Sequence, residues 1–342
     1  RISMDILQKN RVFIIAEAGV NHNGEMELAK KLVKVAHEAK VDVVKFQTFV
    51  ARNLVTKSAE KATYQKEISD ESQFQLEMLQ KMELSAPQHQ ELKAFANSIG
   101  LEFLSTGFDI QSMEMLLALG IERIKIPSGE ITNLPYLRFI ASQQKEIILS
   151  TGMASLKEID RALAVLVQGR AKLDDITVLH CTTNYPTQMH EVNLNAMVSL
   201  GREFGVKVGY SDHTEGIEVA IAAVALGATI IEKHFTLDRN LPGPDHKASL
   251  EPDNLNALVK AVRNIETALG DGVKRPMDSE IANRKAARKS LVAKTGIRKG
   301  ELLTKDNVAV KRPGTGVSPM EWDAVIGTVA TKDFFEDDLI TL

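Results

Sequence analysis

Two lysines stand inside runs of residues that are otherwise apolar. Lys45 and Lys125 are each flanked on both sides by valine, isoleucine or phenylalanine. An ammonium group that is buried without a partner loses its proton or destabilises the fold. A lysine at a strand edge extends its charge into solvent instead. Two such lysines, near Ser128, Ser150 and glycine-bearing turns, favour a bound dianion such as a phosphate.

Two histidines are candidates for a metal site. His213 and His234 each follow a predicted strand, and the two strands are consecutive. Two imidazoles with open positions suit a catalytic divalent cation that also takes water or substrate oxygens, whereas a closed structural zinc site needs four ligands. A histidine pair can equally belong to the core or the surface. Asp212, beside His213, is a candidate to orient its imidazole.

Carboxylates follow two other predicted strands. Glu17 and Glu130 would serve there as general acid or base, or would accept hydrogen bonds from substrate hydroxyls. Each can instead simply neutralise a neighbouring lysine, and the sequence leaves both interpretations open. Glu232 lies inside its strand and is either a partner for Lys233 or a residue of the outer face.

Eight β-branched runs alternate with helical patterns over the first 270 residues, and these elements must position the polar residues. The predicted strands are Val12–Ala16, Val41–Phe46, Leu101–Ser105, Ile121–Ile126, Glu146–Leu149, Thr177–His180, Val206–Gly209 and Thr229–Glu232. This count predicts an α/β fold of the (β/α)8 TIM-barrel type, with chemistry at the C-terminal ends of the strands. A doubly wound open sheet is the alternative, but no G-x-G-x-x-G motif follows the first strand.

The alternation of strand and helix patterns ends after residue 270. We predict a catalytic domain over 1–270, a linker over 271–289 and a small β-rich domain over 290–342. A domain of roughly 55 residues is near the lower size limit for independent folding, so it would lean on the barrel or on a second subunit. Residues 52–84 are too long for an ordinary loop and are predicted to cover the barrel mouth.

Composition narrows the class of protein. The 342 residues carry 42 Lys and Arg against 45 Asp and Glu, a net charge of −3 without a basic block, which disfavours nucleic acid and anionic membranes as partners. No apolar stretch is long enough to span a membrane. The single cysteine, Cys181, permits no internal disulfide. We therefore expect a cytoplasmic enzyme.

Nine short segments then occur in a fixed order. They are 15–22 (IAEAGVNH), 44–48 (VKFQT), 125–130 (KIPSGE), 149–153 (LSTGM), 180–186 (HCTTNYP), 211–213 (SDH), 232–236 (EKHFT), 243–246 (GPDH) and 311–314 (KRPG). Together they resemble the sialic acid synthases, which condense phosphoenolpyruvate with an N-acetylated mannosamine-type sugar. The C-terminal part resembles the antifreeze-like SAF domain of the bacterial enzymes. One departure is Gly107, where the family often has proline.

The resemblance implies a set of functional residues. His213 and His234 would hold a divalent metal of the manganese type, with magnesium or cobalt as alternatives. The implied phosphoenolpyruvate ligands are Lys45, Lys125, Ser128, Ser150 and Ser211, with Gln47 and either Thr183 or Asn184 nearby. The implied sugar contacts are Tyr185, Asp245 and Arg312 of the partner subunit, because the family forms a homodimer with exchanged SAF domains. Glu17 and Glu130 would be the acid and base, in an order that the sequence leaves open, as it does any sugar contact within 52–84.

The expected activity is that of an N-acetylneuraminate synthase, which joins phosphoenolpyruvate to open-chain N-acetylmannosamine. A legionaminic or pseudaminic acid synthase acting on a 2,4-diacetamido-2,4,6-trideoxyhexose is the alternative. A carbohydrate-binding or ice-binding protein without catalytic activity is a third possibility, but it would have no use for two buried lysines and two histidines at one end of a barrel.

Overall fold

The computed structural model describes residues 11–61, 65–66 and 75–342. The chain divides into two compact units, Arg1–Asp271 and Gly272–Leu342. The predicted insertion over 52–84 therefore lies partly outside the described residues.

Eight parallel strands form the sheet of the first unit. They are β1 (Phe13–Gly19), β2 (Val43–Thr48), β3 (Glu102–Gly107), β4 (Arg123–Ile126), β5 (Glu146–Ser150), β6 (Ile176–His180), β7 (Lys207–Asp212) and β8 (Ile230–His234). Their order is β3-β2-β1-β8-β7-β6-β5-β4, and the two end strands, β3 and β4, lie beside each other. Each predicted strand overlaps the observed one, and the predicted TIM barrel is confirmed.

Helices follow the strands. They are α1 (Met26–Glu38), α2 (Ala51–Leu54), α3 (Gln75–Gln80), α4 (Ala86–Ser98), α5 (Ile110–Ala118), α6 (Leu134–Ala141), α7 (Leu156–Gln168), α8 (Asn195–Phe204), α9 (Glu218–Ala225) and α10 (Pro252–Leu269). Most of them cover the outside of the sheet, and two short ones, α2 and α3, belong to the insertion at the barrel mouth. Ser85 and Ser155 begin α4 and α7 with capping boxes, in which the serine side chain and a Gln or Glu three residues later satisfy backbone N–H groups. The buried stripes of the helices pack on the outer face of the strands as the main core.

Inside the barrel, one layer of aliphatic side chains fills the lower part. It consists of Ile15, Val43, Leu104, Ile148, Leu179 and Ile230. Because side chains alternate along a strand, the residue two places further on faces the same way. Those residues are Glu17, Lys45, Thr106, Ser150, Cys181 and Glu232. The apolar layer is thus the floor on which the polar site rests.

The opposite end of the barrel is closed by charged groups. Asp42 accepts hydrogen bonds from the Ile14 backbone N–H at 2.8 Å and from Arg263 Nη2 at 2.7 Å. Arg263, on α10, also donates to the Val12 carbonyl at 2.8 Å. These bonds hold the start of β1 against the last helix of the barrel.

The chain after β2 forms a small apolar cluster of its own. Val20, Phe49, Ala51, Met78 and Met82 are buried there, with Leu54, Leu76, Leu79 and Phe108 packed against them. The described part of the predicted insertion is therefore ordered by hydrophobic contacts.

The second unit has a separate core around Leu291, Val308, Val325 and Phe334. Helix α11 (Asp278–Ala287) precedes an antiparallel pair, β9 (Ser290–Ala293) and β10 (Val308–Lys311), and α12 (Trp322–Val325) follows. The range 271–289, predicted as a linker, thus contains a helix. In the part of the chain that the structure describes, no helix is both long enough and apolar enough to cross a membrane.

We expect Arg263→Met to lower the free energy of unfolding by about 2 kcal/mol, because it removes hydrogen bonds to a partly buried carboxylate. Thermal or urea unfolding checks this result. The control is Arg161→Met on the exposed face of α7, which we expect to change stability by less than about 0.5 kcal/mol. Equal effects of the two substitutions would contradict the role of Arg263 in closing the barrel.

Candidate active site

Two lysines and two carboxylates form a charged centre at the C-terminal ends of the strands. Lys45 Nζ lies 2.8 Å from Glu17 Oε2 and 3.6 Å from Glu232 Oε2. Lys125 Nζ lies 3.4 Å from Glu232 Oε1. Lys45 also donates to Thr106 Oγ1 at 2.6 Å. All four charged side chains are nearly inaccessible to solvent, so their pairing is what makes two lysines tolerable inside apolar strands.

The pKa values of the two carboxylates in this centre are shifted in opposite directions. Burial raises the pKa of Glu17 to about 7 against the opposing charge of Lys45. Burial acts on Glu232 in the same direction, but Lys125 and Lys45 flank it and lower its pKa below the ordinary value. Glu232 is therefore the ionised group between the lysines, and Glu17 can exchange a proton near neutral pH. Burial lowers the pKa of Lys125, which Glu232 opposes; with Glu17 protonated and both ammonium groups charged, the centre carries net positive charge for an anion.

Ser128 and Thr183 converge on Gly152, beyond the end of β5, the strand that Ser150 closes. A Cβ atom at Gly152 would lie 2.5 Å from Ser128 Oγ and 2.8 Å from Thr183 Cγ2, so only glycine fits this position, where φ is +47°. Ser150 Oγ is buried and has no hydrogen-bond partner among the described residues. These hydroxyls, predicted from the sequence to bind an anion, are thus brought to neighbouring loops of the barrel mouth.

His213 and His234 lie side by side. Their ring centroids are 5.5 Å apart. His213 Nδ1 is 2.6 Å from the Thr182 carbonyl, which requires a proton on Nδ1 and leaves Nε2 unprotonated in the neutral ring. Burial lowers the pKa of both histidines and favours the neutral form that binds metals. The Thr182 carbonyl, and not Asp212, therefore orients His213.

The donor chemistry of the pair fits an open metal site. His234 Nδ1 is buried and makes no hydrogen bond within the described chain. No group of three or more His, Cys, Asp or Glu residues converges in metal-binding geometry in the described ranges. Two neutral imidazoles therefore leave positions for water or substrate oxygens. The ring of Tyr185 lies 4.1 Å from that of His213 and borders the same space.

A cavity of about 320 Å³ opens beside His234. Its polar lining consists of Gln47, Gln65, Gln75, Glu130, Tyr185, His234 and Asp245. Gln47 Nε2 donates to Glu17 Oε1 at 3.2 Å and so connects the cavity to the charged centre. Glu130 Oε2 accepts from Asn133 at 2.6 Å, and burial raises the pKa of Glu130. Of the two predicted acid–base carboxylates, Glu17 thus belongs to the charged centre and Glu130 to the cavity wall.

Asn184, a predicted site residue of the first unit, is not brought to this group. Asn184 is exposed, and its side-chain amide donates to Glu191 at 3.4 Å. Arg312 belongs to the second unit, directly after β10, and is also exposed. Their contacts with substrate remain predictions.

Glu232 is the central residue that sequence reasoning did not place. Both of its predicted positions are wrong, because it faces the barrel interior and accepts a hydrogen bond from Ser211 at 2.9 Å. Lys233 instead pairs with Asp212 at 2.8 Å on the other face of the strands. Strand alternation held the missing signal, since a residue two places before the inward-facing His234 must face inward as well.

The profile of the NeuB family matches residues 32–274, which is more than half of the chain. The chain belongs to the NeuB family. The SAF domain profile matches residues 288–342, so the predicted SAF domain is confirmed as well.

Known proteins agree with this assignment. The chain is 53% identical to N,N'-diacetyllegionaminic acid synthase of Campylobacter jejuni over 330 residues, covering 96% of this chain and 99% of that protein. It is 50% identical to the Legionella pneumophila protein of the same name, covering 92% and 89%. A crystal structure of N-acetylneuraminic acid (sialic acid) synthetase from Leptospira borgpetersenii, in complex with citrate, superposes with a TM-score of 0.70 at 34% identity, covering 80% and 90%. The prediction of a transferase of the sialic acid synthase kind is therefore confirmed, and a non-catalytic binding protein is set aside.

Asp245 provides a test of the cavity. Burial raises its pKa to about 6 from the ordinary 3.8, so its ionisation destabilises the folded protein as the pH rises through this interval. At pH 8 the cost is on the order of 3 kcal/mol. We expect Asp245→Asn to raise the Tm at pH 8 and to give about half that gain at pH 5, by calorimetry.

The control for this experiment is Asp160→Asn on the exposed face of α7, for which we expect no such gain. A lower Tm for Asp245→Asn at pH 8 would contradict this prediction, because it would mean that the ionised Asp245 carboxylate stabilises the folded protein.

Proposed function

We propose that this protein is an N,N'-diacetyllegionaminic acid synthase. It would condense phosphoenolpyruvate with an open-chain 2,4-diacetamido-2,4,6-trideoxyhexose and release phosphate. The observation that carries this proposal is the identity of 53% and 50% to two proteins of that name, each over about nine-tenths or more of this chain. N-acetylmannosamine, the acceptor that the sequence motifs favoured, fits less well, because identity to the sialic acid synthetase of known structure is 34%.

The charged centre would hold phosphoenolpyruvate. Lys45 and Lys125 supply positive charge for its phosphate and carboxylate, and the hydroxyls of Ser128 and Ser150 supply directional hydrogen bonds. The buried Ser150 Oγ has no nitrogen or oxygen partner in the described chain, and only the Cys181 thiol acts on it, so it would be able to donate to an anion. Holding both substrates in one cavity supplies much of the rate acceleration.

The proposed reaction forms one carbon–carbon bond. Carbon 3 of phosphoenolpyruvate attacks the sugar aldehyde, water adds to the electron-poor carbon 2, and the C2–O bond to phosphate then breaks. Glu17 lies against Lys45 and titrates near neutrality, so we assign it the proton of the attacking water. Glu130 lines the cavity that would hold the sugar, so we assign it to the hydroxyl formed from the aldehyde.

A divalent metal of the manganese type is part of the proposal. His213 and His234 would hold it, and their neutral, buried imidazoles suit this role. The bound ion would act as a Lewis acid on the aldehyde oxygen. Magnesium and cobalt are the alternatives.

We further propose that the enzyme works in the cytoplasm as a homodimer that exchanges SAF domains. Arg312 of the partner subunit would then contact the sugar. Large apolar side chains on the SAF unit support an interface, because Met320, Phe335 and Leu342 are between 69% and 89% exposed. The one cysteine, Cys181, is free and buried, as suits a reducing compartment.

Phosphate release tests the acceptor. With phosphoenolpyruvate and Mn²⁺, we expect kcat/KM for the 2,4-diacetamido-2,4,6-trideoxy sugar to exceed that for N-acetylmannosamine at least about tenfold. The product is identified by mass spectrometry. Turnover of N-acetylmannosamine alone would overturn the proposed acceptor and restore the sialic acid assignment.

Direct titration tests the metal. We expect EDTA to abolish turnover and Mn²⁺ to restore it. We also expect His213→Ala and His234→Ala to bind Mn²⁺ at least about tenfold more weakly, measured by electron paramagnetic resonance. The exposed His37→Ala on α1 is the control. Unchanged Mn²⁺ affinity in both site variants would exclude the histidines as ligands.

A further inference from the structure

The cavity in the barrel mouth has two chemically different walls. One wall carries Gln47, Glu130, Tyr185, His234 and Asp245 from the loops at the strand ends. The other is largely apolar, with Val20, Phe49, Leu54, Val55, Met78, Leu79, Met82 and Phe108, and the insertion adds two amides there, Gln65 and Gln75. All of these apolar residues but Val55 belong to the small apolar cluster that the chain builds after β2.

This apolar wall is a built surface. Phe49 and Phe108 come from the loops after β2 and β3 and meet edge to face, with ring centroids 6.2 Å apart. Phe49 and Met78 are buried, whereas Leu79 is only partly buried and borders the cavity. The wall therefore has packed residues behind it and accessible side chains in front.

Such a wall discriminates between a methyl group and a hydroxyl group. Hydrocarbon side chains offer no hydrogen bond, and the methionine thioether accepts only weakly. A sugar hydroxyl pressed against the hydrocarbon part of the wall, and not turned to Gln65 or Gln75, would lose its water without gaining a partner. A methyl group at the same place would gain from leaving water.

The chemistry of the site orients the acceptor in the cavity, and this orientation rests on the proposed function. Phosphoenolpyruvate is anionic and belongs with Lys45 and Lys125, so the aldehyde carbon must lie at that end. Gln47 and His234 line the cavity near the charged centre. Carbon 6, at the other end of the open-chain sugar, would then extend towards the apolar wall.

We propose that the apolar wall makes this enzyme selective for 6-deoxy sugars, because it faces carbon 6 of the acceptor. Leu79 on α3 and Phe108 after β3 are specificity-determining residues in front of that wall. The described part of the insertion after β2 thus contacts the carbon 6 substituent.

Two acceptors that differ only at carbon 6 provide the test. They are 2,4-diacetamido-2,4,6-trideoxymannose and its 6-hydroxy counterpart, 2,4-diacetamido-2,4-dideoxymannose. With saturating phosphoenolpyruvate, we expect the native protein to prefer the 6-deoxy sugar in kcat/KM by between about tenfold and a hundredfold. Leu79→Gln places an amide at the wall and should reduce this preference at least threefold. Phe108→Tyr, which adds one hydroxyl, should reduce it in the same direction.

A matched control lies on the same helix. Leu76 packs in the same apolar cluster but does not line the cavity. Leu76→Gln should therefore leave the preference unchanged, even if it lowers stability. The KM for phosphoenolpyruvate should stay the same in all three variants, because the charged centre is untouched.

The outcomes separate this inference from the proposed function. Equal kcat/KM for the two sugars in the native protein, or equal shifts in Leu79→Gln and Leu76→Gln, would overturn the role of the wall while leaving the synthase activity in place. Turnover of neither sugar would instead overturn the proposed function.

Discussion

The structure depends on the burial of two ammonium groups inside a closed barrel. Lys45 and Lys125 would be intolerable in apolar strands without carboxylates at hydrogen-bond or ion-pair distance, and Glu232 stands between them. The two carboxylates do not fully neutralise the two lysines, because the second carboxylate, Glu17, takes up a proton near neutral pH. The centre therefore supports the fold and keeps positive charge available for an anionic ligand. Under the proposed function, the four side chains that stabilise each other in the barrel would also bind the anionic substrate.

The alternation of side chains along the strands produces this arrangement. Residues of one strand face build an aliphatic layer, and the residue two places later on the same face enters the site, as Val43 and Lys45 or Ile230 and Glu232 do. A shift of one residue in the pairing of β8 would turn Glu232 and His234 away from the interior together and bring Lys233 inward. The register of the barrel therefore protects the site, and the bonds of Arg263 and Asp42 at the opposite end hold the first strand in that register.

Variation within the NeuB family can be accommodated without disturbing this centre. The loops beyond the strand ends, and above all the insertion after β2, contribute the cavity wall that lies away from the lysines. An acceptor with different substituents can be selected there while the anion site is kept unchanged. Under the inference drawn above, this division would allow chains with the same motifs to take different sugars at the same anion site.

The sequence alone determined the barrel, the SAF domain and most of the residues at the strand ends. Periodic β-branched runs and strand-end motifs are local signals, and they are sufficient to single out Lys45, Lys125, His213 and His234. Only the tertiary structure decided which groups meet. It placed Glu232 between the lysines, paired Lys233 with Asp212 on the opposite face, and put Glu130 in the cavity wall, bonded to Asn133. The physical reason is that ion pairs and cavities form between strands and loops that are far apart in the chain. A local sequence pattern does not say which of these distant residues come into contact.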